Sequence, residues 1–156
     1  MWKSKCIPRV KFFTWLLLVD RLNTTSMLVR RNFHVQPNVF CVMCNFATQE
    51  DFDLLFFTCP FASTCWNKLG IQWPNLPDVC ERLLIARQTH LFPFFMEIFI
   101  IASWKLWNLI NAKNFDNARP SVHQWLQNFK QQVHLQLLRV REIDRPPIVQ
   151  WIDTIM

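Results

Sequence analysis

Gly70 is the only glycine among 156 residues, and no other feature constrains the fold as tightly. Hairpin turns and bulges lean on residues that accept positive φ, glycine above all, so composition alone disfavours a turn-dense β architecture. The chain is 51% apolar, with fifteen Phe and eight Trp. That supplies a core for one domain, of a size that buries about 68–70% of its unfolded surface. The expected fold class is all-α, with little or no β.

Breakers and caps place the helices. Pro8 opens a first helix that meets no breaker before Arg21. Its segment 15–19 is apolar on every side and calls for cover by other helices. Thr24 or Thr25 caps a short second helix ending near Asn32. Pro37 and Asn38 mark a loop, and Thr48 with Asp51 resembles the start of a helix over 49–57. Pro60 starts another that stops at Gly70, and Asp78 caps one reaching Arg87. A long helix spans 93–115, and Ser121 caps a last one running to Glu142. In that helix Val122, Trp125, Leu126, Phe129, Val133, Gln136 and Leu137 recur at three-to-four-residue intervals, an amphipathic pattern that Pro146 and Pro147 end. The resulting division is a cysteine-bearing domain over 1–70, a linker over 71–77 holding Pro74 and Pro77, a helical region over 78–145 packing on it, and a tail over 146–156.

Charge is distributed unevenly. The net charge is +6. In the first 35 residues Lys3, Lys5, Arg9, Lys11, Arg21, Arg30 and Arg31 face Asp20 alone, while basic and acidic residues balance beyond. A basic N-terminal patch suits a polyanion. Basic residues also precede the apolar run 12–19, as in a secretory signal, but Asp20, Arg21, Leu22 and Asn23 come next with no small-residue cleavage site. The apolar stretch 91–110 has the length of a membrane span, yet Glu97 and Lys105 interrupt it and Pro93 sits early, so it reads as a buried helix. No membrane partner is expected.

Six cysteines carry the chemistry. Cys41-Val42-Met43-Cys44 presents two thiolates to one ion, and Cys59 returns a third sulfur after a short helix. Cys6, Cys65 and Cys80 read as ordinary buried thiols. This spacing points to a reducing, intracellular setting, nucleus or cytoplasm, rather than a secreted one. No reaction centre emerges: His90, His123 and His134 are scattered, Tyr is absent, no two Asp are adjacent, and no glycine-rich loop exists. No catalytic residue is assigned, and the chain is expected not to be an enzyme.

With their flanks, these cysteines carry a resemblance. Pro8, Arg9, Phe12, Phe13, Thr14 and Trp15, then Asp20-Arg21-Leu22-Asn23, the Cys41 turn, Cys59-Pro60-Phe61 and Trp66 together resemble the zinc-binding domain that follows the polymerase in plant LINE-type (non-LTR) retrotransposon reverse transcriptases. The likeness is good over 2–69 and extends more weakly to Trp104, Trp107, Asn111 and Phe115, which are similar to that family's W-x-x-W-x-x-R-N-x-x-x-F segment. The resemblance implies zinc as cofactor, held by Cys41, Cys44 and Cys59 within a C-x2-C-x9-H-x4-C pattern. The family's histidine falls on Leu54, which cannot bind a metal; its later arginine falls on Ile110, and its glycine on Asn45.

The missing fourth ligand has several candidates. Glu50 lies one helical turn before Leu54 on the same face, and Cys65 comes six residues after Cys59. Asp53 lies about 100° round the helix from Leu54. His34 and water complete the set. Loss of tight zinc binding is the alternative.

Zinc knuckles hold single strands by stacking bases on aromatics while cations hold phosphates. Phe40 and Phe46 flank the knuckle, and Lys3, Lys5, Arg9, Lys11, Arg30 and Arg31 are the candidate phosphate contacts. The expected function is therefore weak, sequence-tolerant binding of RNA or single-stranded DNA by a non-catalytic piece separated from its polymerase. Two rivals stand beside it: a helical module that docks on the polymerase or self-associates, and a decayed retrotransposon remnant without activity.

Overall fold

The computed structural model describes residues 6–34, 41–44, 50–92 and 94–156. Among these residues seven α-helices occur in order: α1 Pro8–Leu18, α2 Thr25–Arg30, α3 Pro60–Lys68, α4 Val79–Thr89, α5 Phe95–Asp116, α6 Val122–Leu137 and α7 Arg145–Thr154. A π-helical turn, Leu54–Thr58, precedes α3, and no strand occurs among the described residues.

α5 is the axis of the molecule. It buries Phe95, Ile98, Phe99, Ile100, Ile101 and Ala102, a near-continuous apolar run that sinks most of that end of the helix into the core. α1 packs on it, α6 packs on it, and α3 packs on α6. The amphipathic reading of α6 holds: Trp125, Leu126, Phe129, Val133, Gln136 and Leu137 are its buried residues.

Caps fall where side chains can satisfy the first free N–H groups. Met27 N–H donates to Thr24 Oγ1 (3.3 Å), Glu81 N–H to Asp78 Oδ1 (2.8 Å) and Gln124 N–H to Ser121 Oγ (3.3 Å). Gly70 sits at φ +71°, the left-handed position that ends α3.

Several expectations need correction. Phe12 and Trp15 on α1 and Val19 just after it are exposed, so the segment 15–19 is not covered on every side. α6 stops at Leu137, and Glu142–Asp144 forms a separate 3-10 turn. The prolines at 146 and 147 lie in the first turn of α7, where a missing N–H costs nothing, and Ile148, Ile152 and Ile155 bury what was expected as a tail. The segment 71–77 is irregular but anchored. Ile71 is fully buried, and Trp73 packs edge-on against Phe57 and Trp66, both at 5.1 Å. Arg82, almost wholly buried on α4, secures it further: its guanidinium donates to the Leu76 carbonyl, pairs with Asp53 and lies 5.1 Å from the Phe57 ring centre. No helix among the described residues is long and apolar enough to cross a membrane.

Candidate metal centre

Two elements deliver the sulfurs. The turn at Cys41 to Cys44 places its first thiol in the core, fully buried, with Cys44 half-buried. Cys59 arrives differently. Leu54–Thr58 is wound as a π turn closed by Cys59 N–H donating to the Leu54 carbonyl (2.8 Å), and Pro60 then starts α3. Cys59 adopts extended backbone (φ −57°, ψ 132°), as a residue before proline prefers.

The π turn buries Leu55, Phe56 and Phe57 in succession, and each side is held. The Phe56 carbonyl accepts from Trp66 Nε1 at 2.6 Å, and the Phe56 ring packs with Phe13 of α1 and Trp107 of α5 at 6.1 and 6.2 Å. Its start is capped by Asp51, whose Oδ1 accepts from Leu54 N–H (2.8 Å). Thr48, the expected cap, lies outside the described residues. Single π turns recur at functional sites, where the extra residue re-aims the side chain at the end of the turn. Here that side chain is the Cys59 thiol.

Cys41, Cys44 and Cys59 place their sulfurs within 4.8 Å of one another, and Cys41 and Cys59 are 3.7 Å apart. Four sulfurs about 2.3 Å from a tetrahedral zinc ion stand about 3.8 Å apart. The pocket therefore has the size of a zinc thiolate site. All six cysteines are free thiols.

Electrostatics agree with that size. Cys41 is lowered to about 6, first by a hydrogen bond from the Cys59 thiol and then, against the cost of burial, by the backbone N–H groups of Met43 and Cys44. Cys59 is driven upward because it supplies the shared proton, and burial adds to this, while the Ala62 N–H at the start of α3 pulls the other way. Three backbone donors thus face the two sulfurs. They favour negative charge on the sulfurs, the thiolate state in which cysteines bind a metal ion.

No fourth ligand is found among the described residues. Leu54 is half-buried, packs against the core and offers no donor atom. Among the described residues no further Cys, His, Asp or Glu joins the three cysteines. Glu50 is buried, but its Oε1 accepts from Thr25 Oγ1 (3.0 Å) and its carbonyl from Ser26 N–H (3.2 Å), which ties it to α2. Cys65 is buried on α3 and its thiol is pushed up to about 12 by burial. Asp53 pairs with Arg82, and His34 is exposed. Cys6 is buried as expected; Cys80 is exposed, not buried.

Residues 1–66 match the family model for zinc-binding in reverse transcriptase. The match covers the cluster of Cys41, Cys44 and Cys59, and the family it describes is a zinc-binding accessory region, not the polymerase. No curated protein and no solved structure matches the chain. Zinc suits the donor set: Cys41, Cys44 and Cys59 would hold it, and it would supply structural cross-linking of the turn to the start of α3.

The basic residues are spread over one region. Arg9 is exposed on α1 with its guanidinium 5.4 Å from the Trp104 ring centre, and Lys11 is half-buried on the same helix. Arg30 pairs with Asp20 at 2.8 Å, and Arg31 donates to Asn23 Oδ1 at 3.1 Å. Lys3, Lys5, Phe40 and Phe46 lie outside the described residues. Sequence reasoning overlooked the exposed aromatic pair Phe12 and Trp15, stacked at 5.8 Å on α1. Their three-residue spacing beside Arg9 was the available signal.

Proposed function

We propose that this chain is a non-catalytic, retroelement-derived accessory domain in which zinc braces the cysteine turn and the adjoining basic surface binds RNA or single-stranded DNA. The observation that carries the reading is the placement of charge. Arg9, Lys11, Arg21, Arg30 and Arg31 lie on α1, α2 and the loop between them, with Asp20 the one acid among residues 6–34. Arg30 and Asp20 form an exposed pair, which contributes little and opens readily to a phosphate.

The test is fluorescence anisotropy of labelled 20-mers of oligo(U) and oligo(dT) across a salt series. If about four phosphates are neutralised, affinity falls with a log–log slope near −3, from about −0.7 per phosphate on a single strand. A salt-independent signal, or none, removes the reading.

A second reading has its own observation. Leu138 and Ile143 are 75% and 80% exposed beside a cavity of about 600 Å³ between α5, α6 and α7, apolar surface suited to docking on a polymerase or on a second copy. A salt-insensitive homo-oligomer without affinity for oligonucleotides favours that alternative.

A further inference from the structure

We infer that the cleft between α1 and α5 is a stacking site for one unpaired base of a bound single strand, with Arg9 and Arg21 holding the flanking phosphates. This rests on the nucleic-acid reading above and adds to it a location and a mode. The cleft has a volume of about 230 Å³, below the 300–1,000 Å³ common for drug-sized ligands. A single heterocycle is the fitting occupant.

Its walls are aromatic and basic. Phe12, Trp104 and Trp107 line it together with Arg9, Arg21 and Asn23, and among the described residues no carboxylate does. Behind it, Phe13 packs on Trp104 at 5.2 Å and on Trp107 at 6.2 Å, so the floor is set by the core and needs no rearrangement to form. At its rim Phe12 is 55% exposed and stacks on Trp15, 40% exposed, with the rings 25° from parallel. A soluble surface gains nothing by presenting two stacked rings to water; a base laid on them recovers that cost.

The cations point to the same ligand. Arg9 and Arg21 are exposed, and neither has a carboxylate partner among the described residues, whose ion pairs are Arg30 with Asp20, Arg82 with Asp53 and Arg141 with Asp144. Arg9 already lies over Trp104, an arrangement that leaves its guanidinium edge to donate to a phosphate. The larger cavity differs: Glu97 and Asp144 line it, and its Arg141 is engaged by Asp144, so a polyanion is not its guest.

The experiment uses the whole zinc-supplemented chain, anisotropy with oligo(U) 20-mers, and a second 20-mer made wholly of abasic units. Phe12→Ala is expected to lower affinity for oligo(U) about 5- to 150-fold, the range for losing one base–aromatic stack, and to leave the abasic strand unchanged. Phe12→Trp should restore binding. Arg21→Gln should weaken both strands and reduce the salt slope by about 0.7. Arg139→Gln, a cation outside the cleft, should change neither. If the wild type binds oligo(U) but Phe12→Ala and Arg21→Gln bind equally well, the cleft is not the site while the nucleic-acid reading survives. If the wild type binds neither strand, both fall. If polyglutamate competes as well as oligo(U), charge alone drives binding and the stacking site is overturned.

Discussion

The cysteine corner and the α5–α6 core are built on different principles, although they share one chain. Around α5 the fold is secured by apolar burial on the facing sides of 22- and 16-residue helices, an arrangement that needs no ligand. The corner has a six-residue helix, a five-residue π turn and three thiols, two of which are fully buried. Elements that short do not hold themselves. Aromatic contacts through Phe56 and Phe57 fasten one end of the corner, while the Cys41 turn buries Cys41 and Met43 in the core and brings its sulfurs to Cys59. Structural zinc contributes about 10–16 kcal/mol in small zinc peptides, enough to decide whether such a turn is ordered. One half is specified by packing alone; the other adds to its packing a three-thiol cluster that suits zinc.

The largest expected effect tests that asymmetry. Phe99 is fully buried on α5 and stacks on Trp66 at 6.0 Å. Phe99→Ala should cost about 3–5 kcal/mol, a large share of the stability of a domain of this size, and should lower the thermal midpoint of the whole chain. Cys41→Ser should act locally: hydrogen exchange should accelerate at 41–44 and 54–59 and stay unchanged at the centres of α5 and α6. Equal loss of protection in both regions after Cys41→Ser would mean that the two halves form one cooperative unit, and the comparison would fail.

A smaller effect sharpens the corner itself. Leu54 occupies the histidine position of the resemblance, five residues before Cys59, where the π turn begins. Leu54→His should raise zinc affinity about tenfold or more, the scale on which even outer partners of a metal site act, measured by competition with a chromophoric chelator. Native mass spectrometry should then find one zinc per chain. Leu54→Ala separates the gain of a ligand from the loss of a packed side chain. An affinity unchanged by histidine would show that the π turn aims position 54 away from the sulfurs.

How much of this was legible in sequence depends on whether the deciding interaction was local. Thr24, Asp78 and Ser121 could be read as caps because a cap bonds to N–H groups two or three residues on. The convergence of Cys41, Cys44 and Cys59 was legible through a spacing that has one common use. The π turn was not, because its i+5 bond is favoured by Phe56 and Phe57 docking on residues far along the chain. Pro146 and Pro147 gave the right break but the wrong consequence: a proline ends one helix and can open the next, and Ile148 and Ile152 decide which. Ile110 is instructive in another way. The position that carries arginine in the resemblance is here almost wholly buried on α5 among apolar side chains and leaves no unpaired charge.

The smallest effect concerns protons. In the metal-free chain Cys41 titrates near 6 and Cys59 well above the ordinary 9.0, so between about 6 and 9.0 the folded pair keeps one proton where the unfolded pair keeps two. Stability then rises with pH from about 6 to about 9, because the unfolded state binds more protons there. Above about 9 the unfolded thiols are both ionised while Cys59 still holds its proton when folded, and stability declines. Zinc removes that proton, so excess zinc should abolish the alkaline decline and leave the rise. Denaturant midpoints between pH 5 and 10, with chelator and with zinc, should show the two profiles, and hydrogen exchange should confine the difference to the cysteine corner. A chelated protein whose stability stays flat across this range would show that no proton is shared between Cys41 and Cys59, and the corner would then rest on packing, as the α5–α6 core does.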